Sequence, residues 1–309
     1  MATLHADVSR NRPWTAHAAR WAAVALIAAA LGWSYATNFF YLVSQWEHDP
    51  NYSYGYFVIP IALVILWARR GMLDWGQVSP PWWGVLPLLA LVAARYPLFQ
   101  WNELFLETAT LPLIVAAVVL AMGGWHLLRF AWPSILFLFF MLPLPPSYNQ
   151  MLAAPLQQVA TLGSLGLLQI IGLPVMADGN IILVGNEPLE VARACNGLSM
   201  MLSFVTLVTA VVILVKLPLW ERALLLISAI PIALLSNIIR ITLTALVYHH
   251  IGRAWGEKLA HDLAGWMMMP IALVLVWLEL KVWSWLFIEV EEIDASRLLR
   301  RGPGIAAGR

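Results

Sequence analysis

Long apolar runs separated by short polar segments occupy most of this chain. A helix needs about 20 apolar residues to cross the roughly 30 Å hydrocarbon core of a bilayer. The runs predict about eight transmembrane helices, near 21–46, 54–68, 83–99, 104–122, 126–144, 198–217, 222–249 and 261–288. Charged residues make up 11% of the 309 positions, against about 25% in soluble domains. The chain is therefore expected to be an all-α polytopic membrane protein.

Basic residues predict the orientation of these helices, because lysine and arginine concentrate in cytoplasmic loops. With the N-terminus inside, the 18 lysines and arginines fall on the cytoplasmic side except for Arg95, Arg193, Arg240, Arg253 and Lys258. Cytoplasmic tails are therefore expected at 1–20 and 289–309, around a transmembrane domain at 21–288. Ser34-Tyr-Ala36 resembles a signal-peptide cleavage site, but the apolar run continues to Trp46, which favours a retained anchor.

The long segment 145–197 is predicted to lie on the extracytoplasmic face. In 150–172, uncharged polar residues recur near multiples of 3.6, at Gln150, Gln157, Thr161 and Ser164, which predicts a helix with a polar stripe. We expect this helix to lie along the interface or to dip into the bundle. The alternative is another transmembrane helix, which makes the number of spans odd.

The next stretch, 174–194, changes its periodicity. Turn sequences at 178–180 and 185–188 flank the β-branched run 181–184, a pattern typical of a β-hairpin. The segment is therefore expected to form a small hairpin at the outer membrane surface. Its last strand leads into Cys195.

Cys195 is the only cysteine of the chain. An internal disulfide and a multi-cysteine metal site are therefore excluded. The residue lies beside the predicted helix start at 198 and close to Arg193, and both features favour the reactive thiolate. The alternative is a small buried hydrophobic residue, the ordinary role of a lone cysteine in an apolar protein.

Arg240 lies inside a predicted span, where insertion scales assign a central arginine about 2.5–3.5 kcal/mol. Ser236 and Asn237 precede it by four and three residues and share its helix face. That face is expected to point into the bundle or a wet cleft, where Arg240 binds an anion or oxyanion. The alternative is a structural arginine that extends to the interface or pairs with a carboxylate.

His261 and Asp262 open the last predicted span at the same outer level. An interfacial histidine is often only a polar helix end, and His249 and His250 compete for the same role. Cys195, Arg240 and His261 nevertheless fall on three consecutive spans at similar depth. The topology therefore permits these three side chains to converge.

At these residues the sequence resembles the exosortases and archaeosortases, over roughly residues 45–285. Four stretches carry most of the resemblance: Asp178-Gly-Asn180, Glu190-Val-Ala-Arg-Ala-Cys-Asn-Gly197, Asn237-Ile-Ile-Arg-Ile241 and His261-Asp-Leu-Ala-Gly265. Tyr54-Gly55 before an apolar run ending at Arg69-Arg70, and Pro143-Leu-Pro145 before Pro155-Leu-Gln157, are also similar.

The resemblance implies a membrane-embedded cysteine transpeptidase of the bacterial inner membrane, with its active site facing the periplasm. Its substrates are exported proteins with a C-terminal sorting signal: a Pro-Glu-Pro motif, an apolar helix and a basic tail. Cys195 is implied as the nucleophile, Arg240 as the electrostatic stabiliser and His261 as the third catalytic residue. Asn196 stands where serine is common in the family. The predicted substrate-binding residues are Asn196, Asn237, Glu190 and Gln157.

Neither a cofactor nor a nucleic-acid partner is predicted. The chain has no His-Glu-x-x-His pattern, and its basic residues form no long run. Two other functions stay open from the residues alone. One is a non-enzymatic transporter or polysaccharide-export component, which intramembrane Arg240 and prolines within spans suit equally well. The other is a protease that hydrolyses without transferring.

Overall fold

The chain is mostly helical, with one small antiparallel sheet, as predicted. The computed structural model describes residues 26–27, 29–101, 104–179, 181–184, 187–190, 197–215, 217–252, 255 and 268–286. The helices are α1 (Ala36–His48), α2 (Gly55–Ala68), α3 (Val85–Gln100), α4 (Leu104–Phe137), α5 (Pro146–Ile170), α6 (Leu198–Leu214), α7 (Leu219–Ile251) and α8 (Met268–Leu286). The strands are β1 (Val175–Asp178), β2 (Ile181–Val184) and β3 (Glu187–Glu190).

Four helical stretches within these ranges are long and apolar enough to cross a membrane. They are Trp82–Gln100, Leu104–Met141, Pro146–Ile170 and Leu219–Ile251, whereas α2 and α6 are apolar but shorter. The multi-pass membrane architecture is thus supported, but the predicted count of about eight spans is not confirmed. The predicted helices 104–122 and 126–144 correspond to the two halves of α4, which are separated by non-helical backbone at Gly124.

A kink at Gly124 divides α4. The residue has a φ of 70° and a ψ of −164°, a conformation that glycine adopts without steric cost. A β-carbon at this position would lie 2.5 Å from the carbonyl oxygen of Ser79. The loop before α3 therefore packs directly on the kink that separates the two helical halves.

Helix α5 begins at Pro146, four residues earlier than predicted, with proline in its first turn, where its missing N–H costs nothing. The predicted polar stripe faces inward at its C-terminal half. Thr161 and Ser164 are buried, and the Ser164 hydroxyl donates to the carbonyl oxygen of Ile238 in α7 at 3.2 Å. Length and composition make α5 a candidate span, and its contacts with α7 agree with the expectation that this helix enters the bundle.

The sheet has three strands in the order β1-β2-β3, all antiparallel. Val175 pairs with Val184, and Ile182 pairs with Leu189. The predicted hairpin around 181–184 is present, but an additional strand, β1, precedes it. Val175, Ile182 and Val184 pack with Ala160 and Leu168 of α5 and with Ile241 of α7. The sheet is therefore fixed to the helices that carry the polar stripe and Arg240.

Helix α7 lies at the centre of the C-terminal half. On one side its residues Leu225, Ala229 and Ala233 form an apolar cluster with α6 and with Val276 of α8. On another side Ile241 and Ala245 pack against α5 and the sheet. Any polar residue on the inner surface of α7 is consequently enclosed by neighbouring elements.

A buried ion pair connects α3 and α4. The Arg95 guanidinium lies 2.7 Å from the Glu107 carboxylate. It also donates to the hydroxyl and the carbonyl oxygen of Ser34 and to Oδ1 of Asn38, and it stacks 4.0 Å from the centroid of the Tyr35 ring. Most of the guanidinium N–H groups thus have partners, which favours an ion pair whose arginine side chain is only 17% exposed and whose glutamate is 8% exposed.

We predict that Glu107→Gln strongly destabilises the bundle. The change leaves the Arg95 charge buried without its counter-ion, and breaking such a pair typically costs about 3–5 kcal/mol. The thermal unfolding temperature of the detergent-solubilised protein should fall clearly. Exposed Glu47 in α1 provides the control, because Glu47→Gln makes the same chemical change in solvent. Equal unfolding temperatures for the two variants contradict the prediction.

Candidate active site

Arg240 is buried inside the helical bundle. It is 3% exposed, and its Nη2 donates to Oδ1 of Asn237, which is 0% exposed, at 2.8 Å. The predicted shared face is therefore confirmed for Asn237, three residues earlier on α7. Burial also excludes the alternative in which the arginine extends to the membrane surface. A guanidinium held inside an apolar bundle provides strong electrostatic stabilisation to any anion that reaches it.

Ser236, the other predicted neighbour on this face, forms its hydrogen bond within its own helix. Its hydroxyl donates to the carbonyl oxygen of Ile232 in the preceding helical turn at 2.8 Å. This bond satisfies the serine within its own helix. Of the two predicted neighbours, Asn237 is therefore the one that accepts a hydrogen bond from Arg240.

Gly197 joins the segment before α6 to this pair. It precedes the helix with a φ of 82°, in the left-handed region where glycine is favoured. A β-carbon at Gly197 would lie 3.1 Å from Nδ2 of Asn237 and 3.8 Å from Cβ of Leu156. The backbone at the start of α6 is therefore close to the Asn237–Arg240 pair and to α5.

A cleft opens near the start of α6. It has a volume of about 520 Å³ and lies between the loop 48–51 and one face of α5. Gln157, predicted as a substrate-binding residue, lines the cleft and directly follows Leu156, the neighbour of Gly197. The Pro50 carbonyl oxygen on the other wall accepts the Ser199 hydroxyl of α6 at 2.9 Å, so the cleft lies beside the first turn of α6.

The loop between α1 and α2 is held in place by three long-range hydrogen bonds. Trp46 Nε1 donates to the carbonyl oxygen of Met141 at 3.1 Å, and the Leu144 amide donates to the hydroxyl of Tyr52 at 3.0 Å. The Ser199 hydroxyl donates to the carbonyl oxygen of Pro50 at 2.9 Å. Burial raises the pKa of Tyr52 to about 12, so its phenol stays neutral at physiological pH. The loop therefore joins α5 and α6 in one fixed arrangement.

The predicted site residues divide into two groups. The first group lies in the described part of the chain: Arg240 and Asn237 form the buried pair, and Gln157 lines the cleft. Glu190 ends β3, and its side chain lies outside the described part of the chain, as do Cys195, Asn196, His261 and Asp262.

Sequence reasoning missed the residues on the opposite wall of the cleft, above all Asn51. The turn-forming sequence Asp49-Pro50-Asn51 is a detectable signal there, but it indicates a turn rather than a binding surface.

Comparison with known proteins places the chain in a family. A family model described as a transmembrane exosortase matches residues 46–278, nearly the region over which the sequence motifs agree. The match includes the cleft, the sheet, the segment with Cys195 and the helix with Arg240. No curated protein and no solved structure gave a significant match. The chain therefore belongs to the transmembrane exosortase family.

Proposed function

We propose that this protein is a membrane-embedded cysteine transpeptidase that cleaves C-terminal sorting signals of exported proteins through a thioester at Cys195. Membership of a membrane transpeptidase family supports the reaction class. The proposed catalytic residues are Cys195 as nucleophile, Arg240 as electrostatic stabiliser and His261 as acid and base.

The contact between the start of α6 and the Asn237–Arg240 pair is the observation that carries this proposal. Gly197 packs against Asn237, which in turn accepts a hydrogen bond from Arg240. Cys195 precedes Gly197 by two residues, so the chain length limits the distance between their Cα atoms to about 7 Å. We therefore propose that the sole thiol of the chain acts beside this buried guanidinium.

The proposed first half-reaction is acyl transfer to the thiol. His261 takes the proton of Cys195, and the thiolate sulfur attacks the scissile carbonyl carbon. Arg240 stabilises the oxyanion that forms. When the intermediate collapses, the C–N bond breaks and the leaving amine takes its proton from His261. The product is a thioester between Cys195 and the new C-terminus of the substrate.

The second half-reaction releases the substrate. An amine of the acceptor attacks the thioester carbon, gives its proton to His261 and forms an amide, which regenerates the thiol. Water in place of the amine gives a carboxylate and makes the enzyme a simple protease. Asn237 acts as a positioning residue, because its carboxamide holds the guanidinium.

The proposed setting is the bacterial inner membrane, with both termini in the cytoplasm and the site facing the periplasm. The distribution of basic residues supports this orientation. The described chain agrees with it in one respect: Arg69, Arg70, Arg129 and Arg222 lie at the opposite end of the bundle from the cleft. The proposed substrate is a membrane-anchored protein with a Pro-Glu-Pro motif, an apolar helix and a basic tail.

Interception of the thioester tests this mechanism. The purified enzyme is incubated with such a substrate and excess hydroxylamine, which cleaves thioesters but leaves peptide bonds intact. Mass spectrometry should find a hydroxamate at the new C-terminus, because hydroxylamine replaces the acceptor amine. A cleaved product that carries only a carboxylate at every hydroxylamine concentration counts against a thioester.

A further inference from the structure

The cleft beside the α6 start is built from two elements that are about 100 residues apart in sequence. One wall is the loop 48–51, and the other is a single face of α5 made of Pro146, Asn149, Gln150, Ala153, Ala154 and Gln157. Their spacing of three and four residues keeps them on one side of the helix. The two alanines leave room between the carboxamides. A volume of about 520 Å³ lies within the range of roughly 300–1,000 Å³ usual for ligand sites.

Both walls are fixed before any ligand binds. The Asn51 amide donates to Oδ1 of Asp49 at 2.9 Å, which closes the turn of the loop. The Pro50 carbonyl accepts the Ser199 hydroxyl, so the loop is attached to the first turn of α6. A preformed cleft binds its ligand without the entropic cost of ordering its walls.

Asn51 indicates that the cleft suits a ligand with a hydrogen-bond donor. The residue is 7% exposed, and its Oδ1 is buried with no hydrogen-bond partner among the described residues. A buried acceptor without a partner costs about 1–3 kcal/mol. We expect an N–H donor of a bound ligand to remove this cost once the Asn51 side chain turns its oxygen towards the cleft.

The remaining lining disfavours an anionic ligand. Asn149 and Gln150 each carry N–H donors and a carbonyl acceptor, the same kinds of group that a peptide unit carries. The lining includes neither lysine nor arginine, so it lacks the cations that recognise phosphate groups. An extended polypeptide has unpaired N–H and C=O groups along its backbone and needs such partners when it leaves water.

We infer that this cleft binds the extended polypeptide segment of the substrate next to the scissile bond, through hydrogen bonds from the carboxamides of the loop and of α5 to its backbone. The inference rests on the proposed function for the nature of the substrate. The position of the cleft beside Leu156 and Gly197 brings a bound segment to the residues that precede α6. Recognition of backbone groups also leaves the substrate side chains free to vary.

Disulfide cross-linking tests this inference without requiring turnover. Cys195 is the only cysteine, so the Cys195→Ala enzyme has no thiol and accepts single cysteines without background. Asn149→Cys and Ala153→Cys place a thiol in the cleft. Gln158→Cys is the matched control, because Gln158 is an exposed α5 residue outside the lining. The probe is a membrane-anchored polypeptide with a Pro-Glu-Pro segment, an apolar helix and an arginine tail, carrying one cysteine moved along the polar segment.

Oxidation with copper phenanthroline should join the probe to positions 149 and 153. Since a bound segment raises the effective concentration of its thiol, we expect about tenfold more product there than at position 158. Equal yields at the three positions, or no product at 149 and 153, overturn the inference. The same probe is given to the enzyme with Cys195 intact, and its cleavage there reports on the proposed reaction separately from occupancy of the cleft.

A larger side chain that fills the cleft provides a second test of the inference. Ala153→Leu should raise KM for the probe about tenfold and leave kcat nearly unchanged, as expected when binding common to ground and transition state is lost. The rate at which iodoacetamide alkylates Cys195 should stay the same, which shows that the fold and the thiol are intact. Gln158→Leu should match the parent enzyme. An unchanged KM for Ala153→Leu contradicts binding in the cleft.

Discussion

Cys195→Ala is expected to abolish processing of the sorting-signal substrate and to leave the protein folded. Removal of the sulfur removes the only thiol of the chain, so the covalent pathway has no nucleophile. Knocking out the nucleophile of a comparable triad costs about 10⁶-fold in kcat. In cells that carry the variant, the full-length substrate should accumulate and the shortened product should be absent on immunoblots.

Two measurements distinguish loss of the nucleophile from loss of substrate binding or of the fold. The variant should still co-purify with the uncleaved substrate, because binding does not need the sulfur. Its thermal unfolding temperature should remain close to that of the parent. Cys195→Ser should also be inactive, since a serine hydroxyl at that position lacks the acidity of a thiol. Normal processing by Cys195→Ala overturns the proposed function.

Arg240→Gln is expected to lower kcat by about 10²–10³-fold, the usual effect of removing one donor to an oxyanion. Glutamine occupies part of the same volume and can still reach a hydrogen-bond partner, but it carries no charge. Arg240→Lys should retain little of the activity, because a lysine ammonium cannot reproduce the planar fork of the guanidinium. KM should change far less than kcat in both variants, since the oxyanion exists only after attack.

Substitutions of neighbouring residues on α7 distinguish an electrostatic role of Arg240 from a role in packing. Asn237→Ala removes the acceptor 2.8 Å from Nη2 and should lower kcat by a smaller factor than Arg240→Gln. Thr242→Val is the matched control: Thr242 is equally buried, and its hydroxyl bonds only to the carbonyl of Ile238 in its own helix. Thr242→Val should retain normal kcat. A similar loss in Thr242→Val and Arg240→Gln contradicts an electrostatic role for Arg240.

Local sequence patterns predict those parts of the fold that depend on a single helix. The pairing of Arg240 with Asn237 follows from their spacing of three residues, because that spacing places both on one face. The turn sequences around 181–184 likewise predict β2 and its partner β3. The number of spans does not follow so simply. Apolar runs do not show whether a glycine such as Gly124 ends a helix or only bends it.

The cleft lies beyond what local patterns reveal. Asn51 and Asn149 are polar residues in turn-rich sequence, and each is typical of an ordinary loop or helix end. Their approach depends on contacts such as Trp46 with Met141 and Ser199 with Pro50, which join distant parts of the chain. Periodicity carries no information about such pairings, so the cleft emerges only in the folded chain.

The buried pair of Arg95 and Glu107 has a consequence for how the protein is made. The two charges belong to consecutive helices joined by a short connection, and the arginine is synthesised first. A lone arginine in hydrocarbon is costly, whereas the paired residues are neutral as a unit. Helices α3 and α4 are therefore favoured to leave the translocon together as a hairpin, with Ser34 and Asn38 of the preceding segment already present to receive the guanidinium. The ion pair that stabilises the mature bundle is thus also expected to favour joint insertion of α3 and α4.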